Sequence, residues 1–190
     1  MGALFSTVTI AAHQAALNFT TILFMMPLSV AMALTILVAY EVGAKRYDDA
    51  RQYSVFGVWL AIGVLAIASI FLIIFRETIA YFYTDNPEVA LLIGQFLIFA
   101  VFYQLSDAAQ GALQGVLRGY KDVNIPFVIA LVSYWIIGIP SGYLLAVYTR
   151  LGPFGFWIGI TIGLTCAAVG FFFRLRQIQA GHDALLLQQK

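Results

Sequence analysis

One cysteine in 190 residues leaves no internal disulfide framework and no cysteine-based zinc cluster to consider. Cys166 sits in an apolar run and reads as a packed small residue. The two histidines, His13 and His182, stand far apart in the sequence, so no metal-ligand spacing exists either. Charge is scarce. Only 10% of residues are charged, against roughly a quarter in a soluble domain. A net charge of +1 gives no electrostatic case for a nucleic-acid partner. A secretory leader is not expected, because no basic stretch precedes the first apolar run. What the chain has is hydrocarbon: 62% of residues are hydrophobic and the mean hydropathy is +0.92. A soluble domain of this size lacks the interior to hide so much apolar surface. The solvent for most of the chain is therefore lipid.

A membrane-crossing helix needs about 20 mostly apolar residues. Five segments qualify, at about 10–39, 53–75, 87–117, 126–148 and 155–173. Barrel strands are short and alternate in polarity, unlike these runs, so the expected class is an all-α membrane protein. A unit over 1–175 holds the spans, and 176–190 reads as a polar, loosely ordered cytoplasmic tail. Pro27 inside the first span predicts a kink. Gly155, Gly159, Gly163 and Gly170 predict close helix packing. Short-loop Lys and Arg mark the cytoplasmic side. Lys45, Arg46, Arg51, Arg118, Lys121, Arg174, Arg176 and Lys190 fall on one side, and only Arg76 and Arg150 on the other. That bias puts the C-terminus inside, and the chain's start and the Asp85 loop outside.

Eight of the nine acidic residues lie in loops, near helix ends or in the tail. Asp107 is the exception. A centrally placed Asp costs roughly 2.5–3.5 kcal/mol on insertion scales and faces a cavity or bundle interior as a rule. At about 100° per residue, Tyr103, Gln110 and Gln114 share its face of the third span. One reading is a coupling-ion or proton site: occupancy makes the carboxylate cheap in lipid, so binding can drive a change of conformation. The other is a buried Asp that only hydrogen-bonds a neighbouring helix. Gln110 and Gln114 serve equally well as interhelical links. A second stripe, Gln14, Asn18, Thr21 and Met25, lies near the outer end of the first span. It reads either as a cavity lining or as ordinary interhelical bonding. His13 reads as a helix-end structural residue ahead of a proton relay. Asp85-Asn86-Pro87-Glu88 reads as a turn and helix start, with Asp85 an alternative cation attractor at the outer mouth.

Several blocks also resemble a known family. Ile10-Ala11-Ala12-His13-Gln14-Ala15-Ala16-Leu17-Asn18-Phe19 and Phe24-Met25-Met26-Pro27-Leu28-Ser29 resemble the eighth helix of multidrug and toxic-compound extrusion (MATE) transporters of the bacterial NorM-like branch. Gln104-Leu105-Ser106-Asp107 and Leu117-Arg118-Gly119-Tyr120-Lys121-Asp122 resemble the tenth helix and its loop. Tyr134-Trp135, Gly138-Ile139-Pro140 and Leu151-Gly152-Pro153-Phe154-Gly155-Phe156-Trp157-Ile158-Gly159 resemble the last two. The resemblance implies five transmembrane helices forming most of one six-helix lobe of a twelve-helix transporter. It implies export of small cationic or amphipathic drugs in exchange for Na+ or H+, in a bacterial plasma membrane. Asp107 would correspond to the cation-site aspartate, binding Na+ if the coupling is to sodium, with Tyr103 beside it. Gln14 and Asn18 would face the central cavity with Gln110 and Gln114, and Asp85 would lie where some relatives bind drug. The expected partners are the bilayer, and the N-terminal lobe and seventh helix, which carries the family's second carboxylate. No cofactor is expected.

Two other classes are weighed against a drug antiporter. A lipid-linked sugar flippase of the related superfamily calls for a basic central cavity, and no span carries a mid-membrane Lys or Arg. A non-transporting membrane subunit or membrane-embedded enzyme is the other class. An enzyme needs a catalytic constellation, and the spans hold no HExxH, paired aspartates or Ser/His grouping.

Overall fold

A computed structural model describes residues 6–188, with side chains as far as Gly181. The chain is helical almost throughout. The helices are α1 (Thr7–Gly43), α2 (Tyr47–Tyr83), α3 (Pro87–Gly119), α4 (Asn124–Leu131), α5 (Ile139–Tyr148) and α6 (Phe154–Gln188), with a π-helical segment, Val132–Gly138, joining α4 to α5. Among the described residues, with α4, the π segment and α5 taken as one span, five helices are long and apolar enough to cross a membrane. Hydrocarbon offers backbone groups no water, so every amide must bond within its own segment, and helices do that.

The helix ends follow local chemistry. Ser6 caps α1 by accepting from the Thr9 amide, and Asn86 caps α3 by accepting from the Glu88 amide at 2.9 Å. Pro87 takes the first helical position, where its missing N–H removes nothing. The turns after α1 and α3 repeat one geometry. Arg46 N–H donates to Glu41 O, and Asp122 N–H to Leu117 O, the long bond of a Schellman turn. Each turn holds a lysine in the left-handed region, Lys45 at φ 60° and Lys121 at φ 61°, where glycine is usual. The α1 turn is fastened by Arg46 Nε donating to Glu41 at 2.5 Å. That bond holds the guanidinium pKa above its ordinary value.

Pro27 lies inside α1 and is buried. Two details differ from the expectations. α2 continues to Tyr83, so the connection between the second and third spans shrinks to Thr84–Asn86. The polar segment beyond Arg174 is helical to Gln188 rather than loose. Leu175 and Gln179 are buried there, and Gln179 donates to the Tyr120 hydroxyl at 3.4 Å. Arg174 Nε also donates to Asp122 at 2.6 Å. Those contacts tie α6 to the α3 turn and explain why the helix persists.

α3 lies at the centre and packs against α1, α2 and α6. Its buried residues come from more than one face, from Ala90 to Gly119, as suits a helix enclosed by its neighbours. Its C-terminal half meets α1 closely. A Cβ on Gly115 would lie 2.4 Å from Ala31 O, and Thr35 Oγ1 donates to Gly115 O at 3.0 Å. α5 and α6 meet through glycine, as expected: a Cβ on Gly159 would lie 2.2 Å from Gly142 Cα, and one on Gly155 2.4 Å from Ala146 N. The outward faces are apolar, with Phe82, Ile36, Trp59 and Trp135 exposed. No water-soluble fold presents such a surface; lipid is its natural cover.

Gly159→Ala should destabilise the chain by about 1–3 kcal/mol, because its methyl meets backbone that cannot give way. Gly63→Ala, whose methyl meets nothing within 4 Å, should instead stabilise by roughly 0.5–1 kcal/mol through helix propensity. Thermal unfolding in one detergent compares them; equal shifts would refute the packing account.

Candidate functional site

Asp107 lies 20 residues beyond Pro87, or about 30 Å along α3. It is half-buried and lines a small cavity of about 70 Å³ between α1 and α3. Gln110 and Gln114 line the same cavity from α3, and Phe24, Pro27 and Leu28 close it from α1. The predicted stripe is therefore real over Asp107, Gln110 and Gln114. Pro27 adds a feature of its own. It has no N–H to give the carbonyl of Leu23, one turn earlier, which leaves an oxygen acceptor on the α1 wall at this level.

Tyr103 shares the face but turns to a second cavity, of about 380 Å³, bounded by the π segment, α5 and α6. Its ring meets Trp157 edge-on at 5.7 Å. Across that cavity stands Tyr134, which the sequence reading did not place in the site. Asp107, Tyr103 and Tyr134 lie within electrostatic reach of one another. Tyr134 is set there by the π segment, where Ile139 N–H donates to Tyr134 O, five residues back. Pro140 cannot bond to the Ile136 carbonyl four residues earlier and its ring crowds it, so the ladder widens. Such bulges often mark functional positions in helices. The signal was legible in Gly138-Ile139-Pro140.

The remaining predicted residues fall elsewhere. Gln14, Asn18, Thr21 and Met25 occupy the exposed face of α1, opposite the buried Ala12, Ala16 and Thr20. None of them lines the Asp107 cavity. Asn18 Oδ1 accepts from the Tyr83 hydroxyl at 2.9 Å, and Thr21 bonds its own helix at Leu17 O. Asp85 is exposed in the turn before α3, about 30 Å from Asp107 by helix rise. The capping there is done by Asn86. His13 has a structural bond: its Nδ1 accepts from Trp157 Nε1 at 3.1 Å, tying α1 to α6. Gln104, one residue after Tyr103, is 3% exposed, and its amide nitrogen is buried without a partner, as is Ser69 Oγ on α2.

Metal chemistry is limited here. Among the described residues no cluster of three or more His, Cys, Asp or Glu side chains exists. The Asp107 cavity holds one carboxylate, the neutral amides of Gln110 and Gln114 and the guanidinium of Arg118.

Comparison with known proteins decides the family. The MatE family model matches residues 1–144. This chain belongs to the MatE family. The probable multidrug resistance protein NorM of Halalkalibacterium halodurans is 55% identical over 175 residues, covering 92% of this chain and 38% of that protein. The NorM of Bacillus subtilis is 54% identical over the same length, covering 39% of its own. Among solved structures, the eukaryotic MATE transporter AtDTX14 matches with a TM-score of 0.83 at 23% identity, covering 92% of this chain and 40% of that one. An outward-facing MATE transporter of the MOP superfamily matches at 0.79 and 20% identity, covering 90% and 39%. This MatE chain thus has the fold of those transporters but spans about two fifths of their length and of the curated relatives' length. Five spans out of twelve is the same share, most of one six-helix lobe.

Because the buried Gln104 amide has no partner, Gln104→Leu should leave folding stability unchanged or raise it by about 1 kcal/mol. Thermal unfolding of the purified chain reads this. A loss above about 1 kcal/mol would mean that the amide is satisfied in the membrane and holds α3 in place.

Proposed function

We propose that this chain is a lobe of a bacterial multidrug efflux transporter, which expels small cationic or amphipathic drugs in exchange for Na+ or H+ by alternating access. The single observation that carries the reading is Asp107, a half-buried carboxylate within a membrane-spanning helix, lining a cavity with neutral residues and, at its edge, Arg118. The family and the NorM relatives support it.

The chemistry follows from the solvent. An ionised carboxylate deep in a low-dielectric medium is costly, and a proton or a sodium ion removes most of that cost. The empty and occupied states then favour different packing around the cavity. Gln110 and Gln114 line the same cavity as Asp107 and carry amide oxygens; oxygen donors of this kind suit hard cations. Tyr103 and Tyr134 line the cavity against the glycine-packed α5–α6 pair and feel the charge of Asp107, which gives a change at Asp107 a route to that interface. Gln14 and Asn18, exposed on α1 with Asn18 bonded to Tyr83, suit a drug path along that face. Asp85 would act only at the outer mouth. The second lobe and the helix preceding α1 are the partners this reading requires, with the C-terminus on the cytoplasmic side by the charge bias. A sugar flippase is the weaker alternative, since a single basic residue, Arg118, lines the Asp107 cavity.

The test is Asp107→Asn in the complete transporter that contains this chain. Uptake of a fluorescent organic cation into everted vesicles, where export runs inward, should fall to background, with normal membrane expression. Collapsing the sodium or the proton gradient separately identifies the coupling ion. Undiminished efflux in the mutant would reject Asp107 as the coupling site.

A further inference from the structure

A third cleft, of about 550 Å³, opens between α2 and α3 at the end of the lobe where the two helices are joined. Its chemistry differs from that of the cavities beside Asp107. α2 contributes one charge of each sign, Arg76 and Glu77, and α3 contributes the amide of Gln95. Successive residues leave a helix about 100° apart and do not face each other, so the two charges reach the cleft along different directions. On the α3 wall Ala90 and Gly94 are small. Gly94 is buried, yet a Cβ added to it would meet nothing within 4 Å. The missing side chain there leaves room instead of serving a close helix approach.

The level of these groups is informative. Residues 52–75 of α2 carry no charged side chain. They rise about 36 Å, slightly more than a hydrocarbon core of about 30 Å. Arg76 and Glu77 therefore stand at the edge of the hydrocarbon, where lipid headgroups begin. Gln95 is level with them. Arg76 precedes Tyr83, the last residue of α2, and Gln95 follows Pro87, the first of α3, by about 11 Å along each helix. Tyr81 and Tyr83 lie on the water side of that level and are exposed, as in the aromatic belts of membrane interfaces. The cleft thus occupies the headgroup layer. Phe75, exposed one residue below it, begins the apolar surface that faces the acyl chains.

We propose that this cleft binds the headgroup of one aminophospholipid of the ethanolamine type. Arg76 donates to its phosphate, its ammonium donates to the Glu77 carboxylate, and Gln95 bonds at the same level. The acyl chains run down the outside of α2 and α3. The pairing of charges selects the lipid. An anionic glycerol headgroup satisfies Arg76 but is repelled by Glu77. A choline headgroup carries its charge on a quaternary nitrogen with no N–H to donate. Free phosphoethanolamine matches both charges but lacks the acyl chains that anchor it. A helix seated on Ala90 and Gly94 would bury both charges without bringing partners for them, which is costly.

Native mass spectrometry of the purified chain in detergent tests this, with dioleoyl phosphatidylethanolamine, phosphatidylglycerol or phosphatidylcholine added. The expected result is one phosphatidylethanolamine retained under activation that strips the other two, with no displacement by millimolar O-phosphoethanolamine. A hydrogen bond between charged groups contributes about tenfold, so Arg76→Gln should cut retention of phosphatidylethanolamine about tenfold. Glu77→Lys should invert the selectivity in favour of phosphatidylglycerol, a gain that a misfolded variant cannot show. Gly94→Phe, which keeps both charges and fills the cleft from α3, should abolish the selective adduct. Equal retention of the three lipids by the native chain overturns the proposal. So does displacement by O-phosphoethanolamine, which would mean a site for a soluble zwitterion. A dimer of the chain in place of the lipid adduct, which would mean a helix-docking face, overturns it as well, as does an unchanged lipid preference in Glu77→Lys.

Discussion

In hydrocarbon a backbone amide that is not bonded to the protein is bonded to nothing. That constraint shapes this chain from end to end. It makes every spanning segment helical, and it holds the breaks in the pattern to a few places where some other group compensates. At Pro27 the helix continues with a donor missing, beside a cavity. Before Pro140 the ladder widens into a π segment instead of breaking. The turns after α1 and α3 close with long Schellman bonds even though each must hold a lysine at positive φ. Two of these breaks sit beside the polar chemistry of the lobe: Pro27 lines the cavity of Asp107, and Tyr134 lies within the π segment.

α3 is the element on which the packing and the candidate site both depend. Its glycines let α1 approach to within backbone contact at Gly115 and Gly119, and it lies against α2 and α6 on its other faces. A helix enclosed in this way can carry a carboxylate that a lipid-facing helix could not. Asp107 therefore shares its helix with the close backbone approach of α1 at Gly115. Of two ion pairs, Arg46–Glu41 lies at the end of α1, and Arg174, within α6, reaches Asp122 in the turn after α3.

Much of this was legible from residue order alone. The five spans, their approximate limits, the all-α class and the glycine-packed last pair followed from hydropathy and small-residue spacing. The MatE family was readable from several blocks in register. Asp107, Gln110 and Gln114 were placed on one face by helical periodicity, and they do line one cavity. The same periodicity put Tyr103 with them, yet its ring turns toward α5 and α6. Period specifies the direction in which a side chain leaves its helix, not which neighbour receives it. The tail was misread because its polar composition was weighed without the contacts of Leu175, Gln179 and Arg174, which make helix the better state there.

The sequence by itself determined the solvent, the number of crossings and the one carboxylate that lipid should not tolerate. Those properties are summed over a segment or belong to a single residue, and they do not depend on what lies beside it. Only the tertiary structure decided which groups share a space: Pro27 opposite Asp107, Tyr134 facing Tyr103, Arg76 and Gln95 on the walls of one cleft. These pairs are separated by 19 to 80 positions in the chain. Their meeting depends on how helices cross and how closely glycine lets them approach, and no local pattern of residues records that.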